Sequence, residues 1–362
     1  MQPTNNQSEA RIAALIQFVS TELLDGEDEA IDAKTPLLAW GIIDSMSMMS
    51  MLAFIAEDFG IQIPDEEVRP EHFATLDDLA TLLDRMAVDD SDASPIDTVI
   101  AGLQRHGLVA RELSLTSGGT VGLIESRGAG PTWLLLAGPG QPAVVWTPFM
   151  RSKLGQQAMV ALDLPGTGSS AEPSGDWAAA WTGAVDDVML EIEGDVVIFA
   201  ASSTGVLATR AASSNPERVK AIVLCGFGID ADLTAVLAPQ IQLAETPGAY
   251  LQGATFSGAD LSPALHECFL EATTDPRFQR ALTSSTDLRT DEVVGVPTPT
   301  LLVHGQCDPF VTQGQADRLA DRLNAQRAPL PRCGHLVHLE RPQELLHIAE
   351  RFLASNTNSS RA

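Results

Sequence analysis

Two patterns of apolar and polar positions follow each other along this chain of 362 residues. In residues 9–87 apolar side chains recur every three to four positions, as at Met48, Leu52, Ile55 and Phe59. This spacing predicts helices that each bury one face. After residue 98, short and fully apolar runs alternate with helical patterns, which is typical of a mostly parallel sheet covered on both faces by helices. The chain is therefore predicted to be multidomain, a small all-α helical bundle followed by a doubly wound α/β domain.

The α/β part contains eight runs that we predict to be strands, at 109–116, 120–126, 133–137, 157–163, 195–200, 220–225, 299–304 and 326–330. Helical patterns lie between most of the later runs, near 177–191, 203–213, 313–324 and 341–354. Residues 229–292 show helical patches but no clear strand, so we expect a helical lid over the strand ends. The expected domains are a helical bundle at 1–88, a linker at 89–98, an α/β domain at 99–355 and a disordered tail at 356–362.

Composition narrows the classes of partner. The net charge of −26 argues against nucleic acid and anionic membrane surfaces. Residues 1–90 hold 19 acidic and 4 basic side chains, which would suit a basic partner surface. The four cysteines show no framework spacing, no signal peptide is visible, and no apolar run reaches the ~18 residues of a spanning helix. We expect a cytoplasmic protein with reduced thiols.

The first candidate for chemistry is Ser45, in the run Gly-Ile-Ile-Asp-Ser-Met at 41–46. Asp44 is a good N-cap, so Ser45 is predicted at the start of a helix, where a hydroxyl is accessible and an added phosphate is favoured. The alternative is that the Asp-Ser pair merely starts a helix.

Three further runs accompany it: Leu-Leu at 37–38, Phe-Gly-Ile-Gln-Ile-Pro at 59–64 and Phe-Ala-Thr-Leu at 73–76. With these runs, the segment resembles an acyl carrier protein, although Met46 replaces the commoner leucine. The resemblance implies that a phosphopantetheinyl transferase attaches 4'-phosphopantetheine covalently to Ser45. It also implies acyl-loading and biosynthetic enzymes as partners and an acyl thioester as substrate.

The second candidate is Ser203, in the run Ala-Ser-Ser-Thr-Gly at 201–205. An apolar run precedes it and a helical pattern follows, which is the strand–turn–helix context of the G-x-S-x-G nucleophile motif. Ser202 is adjacent, but only Ser203 has small residues, Ala201 and Gly205, two positions away on each side. We therefore predict Ser203 as nucleophile, against the alternative of an ordinary Ser/Thr-rich loop.

Two later runs supply an acid and a base. Asp308 follows the apolar run at 299–304, and residues 334–342 read Gly-His-Leu-Val-His-Leu-Glu-Arg-Pro, which contains His335. In these features residues 100–355 resemble the α/β-hydrolase fold, whose members show the chain order Ser, Asp, His. The resemblance implies that His335 takes the proton from Ser203 and that Asp308 orients the imidazole. Asp230 is a second candidate acid.

A metal site is an alternative interpretation of the same region. The residues of ligand type are His304, Cys307, Asp308, Cys333, His335 and His338. Their spacings fit no strong zinc pattern, so no metal is predicted.

The oxyanion hole departs from the family pattern. Residues 136–142 read Leu-Ala-Gly-Pro-Gly-Gln-Pro where relatives carry His-Gly-x-Pro-Gly. Counting back from Trp146 places Pro139 at the usual backbone donor, and proline has no N–H. The amide of Thr204 is expected to remain as one donor. Either Gly140 or Gln141 substitutes for the other after a local shift of the loop, or the catalyst is weak or specialised.

Together these motifs predict a thioesterase-like enzyme that releases a carrier-bound acyl chain by hydrolysis or cyclisation. The expected setting is thiotemplate biosynthesis of polyketide or nonribosomal-peptide type, including antibiotics. Two alternatives stay open. One is acyl transfer or elimination on a small carrier-bound unit, as in tetronate-type pathways. The other is a catalytically inactive hydrolase domain that acts as a docking scaffold.

Overall fold

The computed structural model describes residues 5–24, 31–59, 61, 63–64, 67–89, 99, 103, 107–228, 234–246, 248–256, 261, 263–289, 293 and 296–359. The chain divides into two compact units, residues 1–105 with 261–268 and residues 106–260 with 269–362. The predicted linker at 89–98 lies, except for Asp89, outside the described residues. Each unit is treated by itself below.

Within the described residues 5–89, the first unit contains three α-helices: α1 (Asn5–Phe18), which continues into a π-helical turn (Val19–Leu23), α2 (Ser45–Asp58) and α3 (Leu76–Asp89). A 3₁₀ turn (Pro70–Phe73) precedes α3. The core contains apolar side chains from every element: Leu15, Leu37, Met51, Ile55, Phe73, Leu76, Leu79 and Leu83. The buried stripe of α2 runs through Met51, Ile55 and Phe59, four residues apart, whereas Met48 and Leu52 lie beside it and are partly buried.

The second unit is built on one eight-stranded sheet in the order β1-β2-β4-β3-β5-β6-β7-β8. β2 pairs antiparallel with β1 and β4, and all other neighbours pair in parallel. The strands are β1 (Leu108–Ser114), β2 (Thr120–Ser126), β3 (Ala129–Leu136), β4 (Gln157–Leu162), β5 (Val196–Ala201), β6 (Val219–Cys225), β7 (Thr300–Gly305) and β8 (Gln326–Leu330). β5 and β7 are buried along their whole length because helices cover both faces. The predicted fold class is confirmed.

The described residues after position 106 contain ten α-helices, one of which begins in the segment 261–268 of the first unit. They are α4 (Thr147–Arg151), α5 (Trp177–Glu191), α6 (Gly205–Ser214), α7 (Thr234–Ala244), α8 (Ala249–Ala254), α9 (Pro263–Thr274), α10 (Pro276–Ser284), α11 (Gln313–Leu323), α12 (Val337–Glu340) and α13 (Pro342–Ser359). Helices α7 to α10 fall within the segment predicted as a lid.

The expected tail at 356–362 is wrong for residues 356–359, because α13 continues to Ser359. Its inner face buries Leu345, Ala349 and Phe352. Near its end, the side chains of Ser355 and Asn356 both donate to the carbonyl of Phe352. These local bonds satisfy a carbonyl near the end of the helix. Residues 360–362 lie outside the described part.

Candidate active site

The turn between β5 and α6 holds a serine in a strained backbone conformation. Only one 3₁₀ turn, Ser202–Thr204, separates the end of β5 from the start of α6. Ser202 has a φ of +56°, a region that non-glycine residues rarely adopt. Gly205 permits the tight entry into α6, because a Cβ at this position would overlap the ring of Phe227. This is the geometry of a nucleophile elbow, in which a strained strand-to-helix turn exposes the side chain above the sheet.

His335 lies between Ser202 and Asp308. Its Nε2 atom is 3.0 Å from the Oγ atom of Ser202, and its Nδ1 atom is 2.8 Å from Oδ2 of Asp308. The side chains of His335 and Asp308 are 1% and 0% exposed, so both hydrogen bonds act in a low dielectric. An ionised Asp308 can only accept, which assigns the proton to Nδ1 and leaves Nε2 to accept the hydroxyl proton.

The loop after β7 keeps Asp308 ionised. The amides of Phe310 and Val311 donate to Oδ1 of Asp308 at 2.8 and 3.0 Å. Burial by itself would raise the pKa of this carboxyl. The adjacent His335 and the two amides outweigh burial and hold the pKa of Asp308 below its usual range. The candidate acid Asp230 lies outside the described residues.

The serine that contacts His335 differs from the predicted one. Ser203 is 3% exposed, and its Oγ atom has no hydrogen-bond partner. Consecutive side chains in a tight turn point in different directions, and here Ser202 faces the imidazole. The predicted Ser203–His335 pairing is therefore corrected to Ser202–His335.

The sequence spacing misled because a threonine stands where the motif has its second glycine. Counted from Ser202, that position is Thr204, whose hydroxyl folds back onto the carbonyl of Ala201 at 2.7 Å. The sequence feature that could have identified Ser202 was the end of the apolar strand, since Ser202 follows β5 directly. With Ser202 at the elbow, the amide after it belongs to Ser203 and not to Thr204, which corrects the predicted Thr204 donor as well.

The loop after β3 is the other wall of the site. β3 and β5 are neighbours, with Leu136 opposite Ala200, so this loop emerges beside the elbow. Pro139 offers no N–H. Gly140 has a φ of +79°, and a Cβ there would lie 2.6 Å from the ring of Phe278 on α10. The backbone N–H of Gln141 donates to the carbonyl of Gly138 at 3.0 Å.

Asp163 holds this loop in place through hydrogen bonds. Its carboxylate accepts from the N–H of Ala143 at 2.5 Å, and from the N–H and hydroxyl of Ser169, both at 3.0 Å. Gly168 must be glycine, since its φ is +51° and a Cβ would overlap the carboxylate. Burial raises the pKa of Asp163. The contact with Ala143 makes Asp163 a positioning residue for the loop after β3.

The lid reaches the histidine loop through hydrogen bonds. The N–H of His335 donates to the carbonyl of Ala254 at 2.7 Å. Glu340 accepts from the N–H of Gly334 and from the N–H of Phe256, both at 2.9 Å. The end of α8 and the histidine loop are therefore held together, a contact between distant segments that the sequence did not reveal.

Two further histidines are buried near the centre. His304 places its Nδ1 atom 3.8 Å from Oδ2 of Asp308, and burial lowers its pKa. His338 packs its ring 4.6 Å from that of Trp146, and neither of its nitrogens has a hydrogen-bond partner. Burial, helped by His335, lowers the pKa of His338 to about 3, so this ring is neutral.

In the helical unit, α2 begins at Ser45. Asp44 caps the helix, since its Oδ1 atom accepts from the N–H and hydroxyl of Ser47, and its own N–H donates back to Ser47 Oγ at 2.7 Å. Asp44 is exposed, and so are two large apolar side chains on either side of the helix start, Trp40 at 63% and Met49 at 69%. An exposed helix N-terminus that carries a serine fits a phosphodiester-linked arm.

Comparison with known proteins identifies both parts. The chain belongs to the alpha/beta hydrolase family, whose model matches residues 133–348. A model for the phosphopantetheine attachment site matches residues 13–83. Residues in this N-terminal region are similar to PigG of a Serratia species, named as a probable acyl carrier protein. The two are 32% identical over 72 residues, 20% of this chain and 83% of the relative. The cofactor of the carrier domain is therefore covalently attached 4'-phosphopantetheine, and the resemblances drawn from sequence are confirmed.

The hydrolase domain has relatives of its own. It is 26% identical to pimeloyl-[acyl-carrier protein] methyl ester esterase of Nitrosomonas europaea over 255 residues, which covers 62% of this chain and 96% of the relative. Among solved structures, a bacterial membrane phospholipase A matches with a TM-score of 0.64 at 22% identity, covering 77% of this chain and 98% of the other. Carboxylesterase CesB of Bacillus subtilis matches with a TM-score of 0.58 at 21% identity, covering 68% and 92%. These likenesses establish the fold, and the domain is that of a serine hydrolase.

Two kinds of feature are absent from the described residues. Across the described ranges, no helix combines the length and apolar character that crossing a bilayer requires. Within the same part of the chain, no three His, Cys, Asp or Glu side chains are grouped so that they could hold a metal ion.

Proposed function

We propose that this chain carries an acyl group on its N-terminal domain as a thioester and that Ser202, His335 and Asp308 cleave carrier-bound acyl thioesters. The observation that carries the proposal is the contact of the strained elbow residue Ser202 with His335, in a chain that also contains a carrier domain. Ser45 is the proposed attachment residue. Once attached there, 4'-phosphopantetheine supplies the terminal thiol to which the acyl group is bound.

The side chains divide the chemistry among them. The hydroxyl of Ser202 gives its proton to Nε2 of His335 while Oγ bonds to the acyl carbonyl carbon. Asp308 stabilises the imidazolium that forms and keeps the ring in place. His335 then returns the proton to the departing sulfur as the C–S bond breaks, which leaves the acyl group on Ser202.

A second nucleophile completes the cycle. Water, or a hydroxyl or amine of the acyl chain itself, attacks the ester on Ser202 and gives its proton to His335. The proton passes back to Ser202 as the ester bond breaks, and the product is a free acid or a ring. Such release belongs to thiotemplate biosynthesis of polyketide or nonribosomal-peptide type, which is the setting that we propose.

A second candidate is favoured by the relative from Nitrosomonas europaea, named as an esterase that acts on a methyl ester of a carrier-bound acyl group. In that case the same three side chains would cleave an ester at the far end of the acyl chain and leave the thioester intact.

Intact-mass spectrometry of the full chain separates these outcomes. The apo protein is loaded from an acyl-coenzyme A by a promiscuous phosphopantetheinyl transferase, and the mass is followed with time. We expect the parent to lose the acyl group and Ser202→Ala to retain it, while Ser45→Ala accepts no arm. A chain with a terminal methyl ester tests the second candidate, since loss of only the methyl group would support it. Equal release by the parent and Ser202→Ala would contradict the proposal.

A further inference from the structure

A buried glutamine stands in the loop beside the elbow with part of its hydrogen-bonding capacity unused. Gln141 is 2% exposed, and its Oε1 atom has no hydrogen-bond partner. Because Oε1 can only accept, this atom cannot bind an oxyanion; the group that a buried amide offers to one is its nitrogen, whose N–H groups also need acceptors. The loop emerges next to Ser202 because β3 and β5 pair up to Leu136 and Ala200.

Few main-chain N–H groups of this loop are free to donate to a ligand. In the α/β-hydrolase arrangement one oxyanion donor follows the nucleophile and the other comes from the loop after β3. Pro139 and Pro142 have no N–H. The N–H of Gln141 donates to Gly138, and that of Ala143 donates to Asp163. Among the amides from 139 to 143, this leaves that of Gly140, together with the side chain of Gln141.

The side chain of Gln141 folds back over its own loop. Its Nε2 atom would lie 2.8 Å from a Cβ at position 138, so Gly138 makes room for the amide. It faces the hydroxyl of Tyr250, the only tyrosine of the chain. That hydroxyl donates to Oε1 of Gln240 at 2.9 Å, and both lid residues are buried.

Through Tyr250, the Gln141 amide is linked to the side chains that surround His335. The ring of Tyr250 lies 6.3 Å from that of Phe310, and Phe310 lies 5.0 Å from the ring of His335. An amide nitrogen carries two N–H groups. One can donate to the Tyr250 oxygen, which leaves the second for a ligand.

We infer that the side-chain amide of Gln141 is the second oxyanion donor, acting with the main-chain amide of Ser203. It takes the place of the N–H that Pro139 lacks. When Ser202 attacks, the carbonyl oxygen becomes an oxyanion that accepts both N–H groups, and no proton passes through Gln141. Tyr250 is a positioning residue that orients the amide from the lid. The inference rests on the proposed role of Ser202.

The test uses the full chain, p-nitrophenyl butyrate as substrate and an aryl trifluoromethyl ketone as inhibitor, which forms an oxyanion on the serine. Gln141→Met keeps length and volume but removes the donor. We expect kcat to fall about 10²–10³-fold with KM nearly unchanged, because the oxyanion exists only in the transition state. The Ki of the ketone should rise in parallel. Tyr250→Phe should lower kcat about tenfold and leave KM unchanged.

Controls separate folding from chemistry. Gln326→Met alters an exposed glutamine at the start of β8 and should leave kcat and Ki unchanged. Thermal unfolding of each variant reports folding. If Gln141→Met keeps kcat within about threefold, or leaves Ki unchanged, the inference is overturned and the Gly140 amide is the donor. Activity that survives Ser202→Ala contradicts the proposed function, whereas activity lost there but kept in Gln141→Met contradicts this inference alone.

Discussion

The two adjacent serines of the elbow should respond in opposite ways to substitution by alanine. The Oγ atom of Ser203 is buried without a hydrogen-bond partner, whereas that of Ser202 bonds to His335. An unpaired buried hydroxyl costs about 1–3 kcal/mol relative to one in water. Ser203→Ala removes this cost and keeps the Cβ packing, so the free energy of unfolding should rise by about 1 kcal/mol.

For a domain of this size, that gain corresponds to an increase in Tm of about 2–4 °C. The assay is thermal unfolding by circular dichroism, together with turnover of p-nitrophenyl butyrate and labelling by a fluorophosphonate, with the labelled peptide identified by mass spectrometry. Ser203→Ala should retain turnover and become labelled on Ser202. Ser202→Ala should lose turnover by several orders of magnitude and remain unlabelled. A Ser203→Ala protein that is less stable than the parent, or as inactive as Ser202→Ala, would refute the reasoning.

Two further predictions follow from the buried groups around His335. Asp308→Asn should lower kcat by about 10⁴-fold while the fold is retained, because the amide favours the wrong imidazole tautomer, and stopped-flow kinetics with a thermal melt would test this. His338 has a pKa lowered to about 3 by burial against 6.5 when exposed, so its stabilising contribution is complete above pH 6.5 and is lost as the pH falls towards 3. Urea denaturation between pH 6.5 and 4 should show the parent losing up to about 1.4 kcal/mol per pH unit more than His338→Phe, and equal slopes would contradict the assigned burial.

Local periodicity determined the elements of this protein. The runs predicted as strands correspond to the eight strands observed, within a few residues, because alternation and apolar run length are properties of neighbouring residues. The contact between His335 and Asp308 was also foreseen, since each residue stands in a recognisable run beside a predicted strand. The carrier segment was identified by its run around Ser45, which α2 places at a helix start.

Register within the elbow was decided only by the tertiary structure. Whether Ser202 or Ser203 meets the imidazole depends on the backbone rotation between β5 and α6, and the φ of +56° at Ser202 is imposed by the packing of both elements. The same holds for the buried stripe of α2, where Met51 is fully buried and Met48 packs beside the core only partly buried. When a turn or helix shifts by one residue, a different side chain faces the core or the histidine. The local sequence does not specify the backbone rotation that finely.

Contacts between distant segments were equally invisible in the sequence. The hydroxyl of Tyr250 faces Gln141, and Glu340 joins Phe256 to Gly334, although the lid and the loops are far apart along the chain. The sequence by itself determined which residues could act and which elements would carry them. The tertiary structure decided which of them meet, because contacts across the chain are fixed by how the elements pack, whereas periodicity and motifs are fixed within each element.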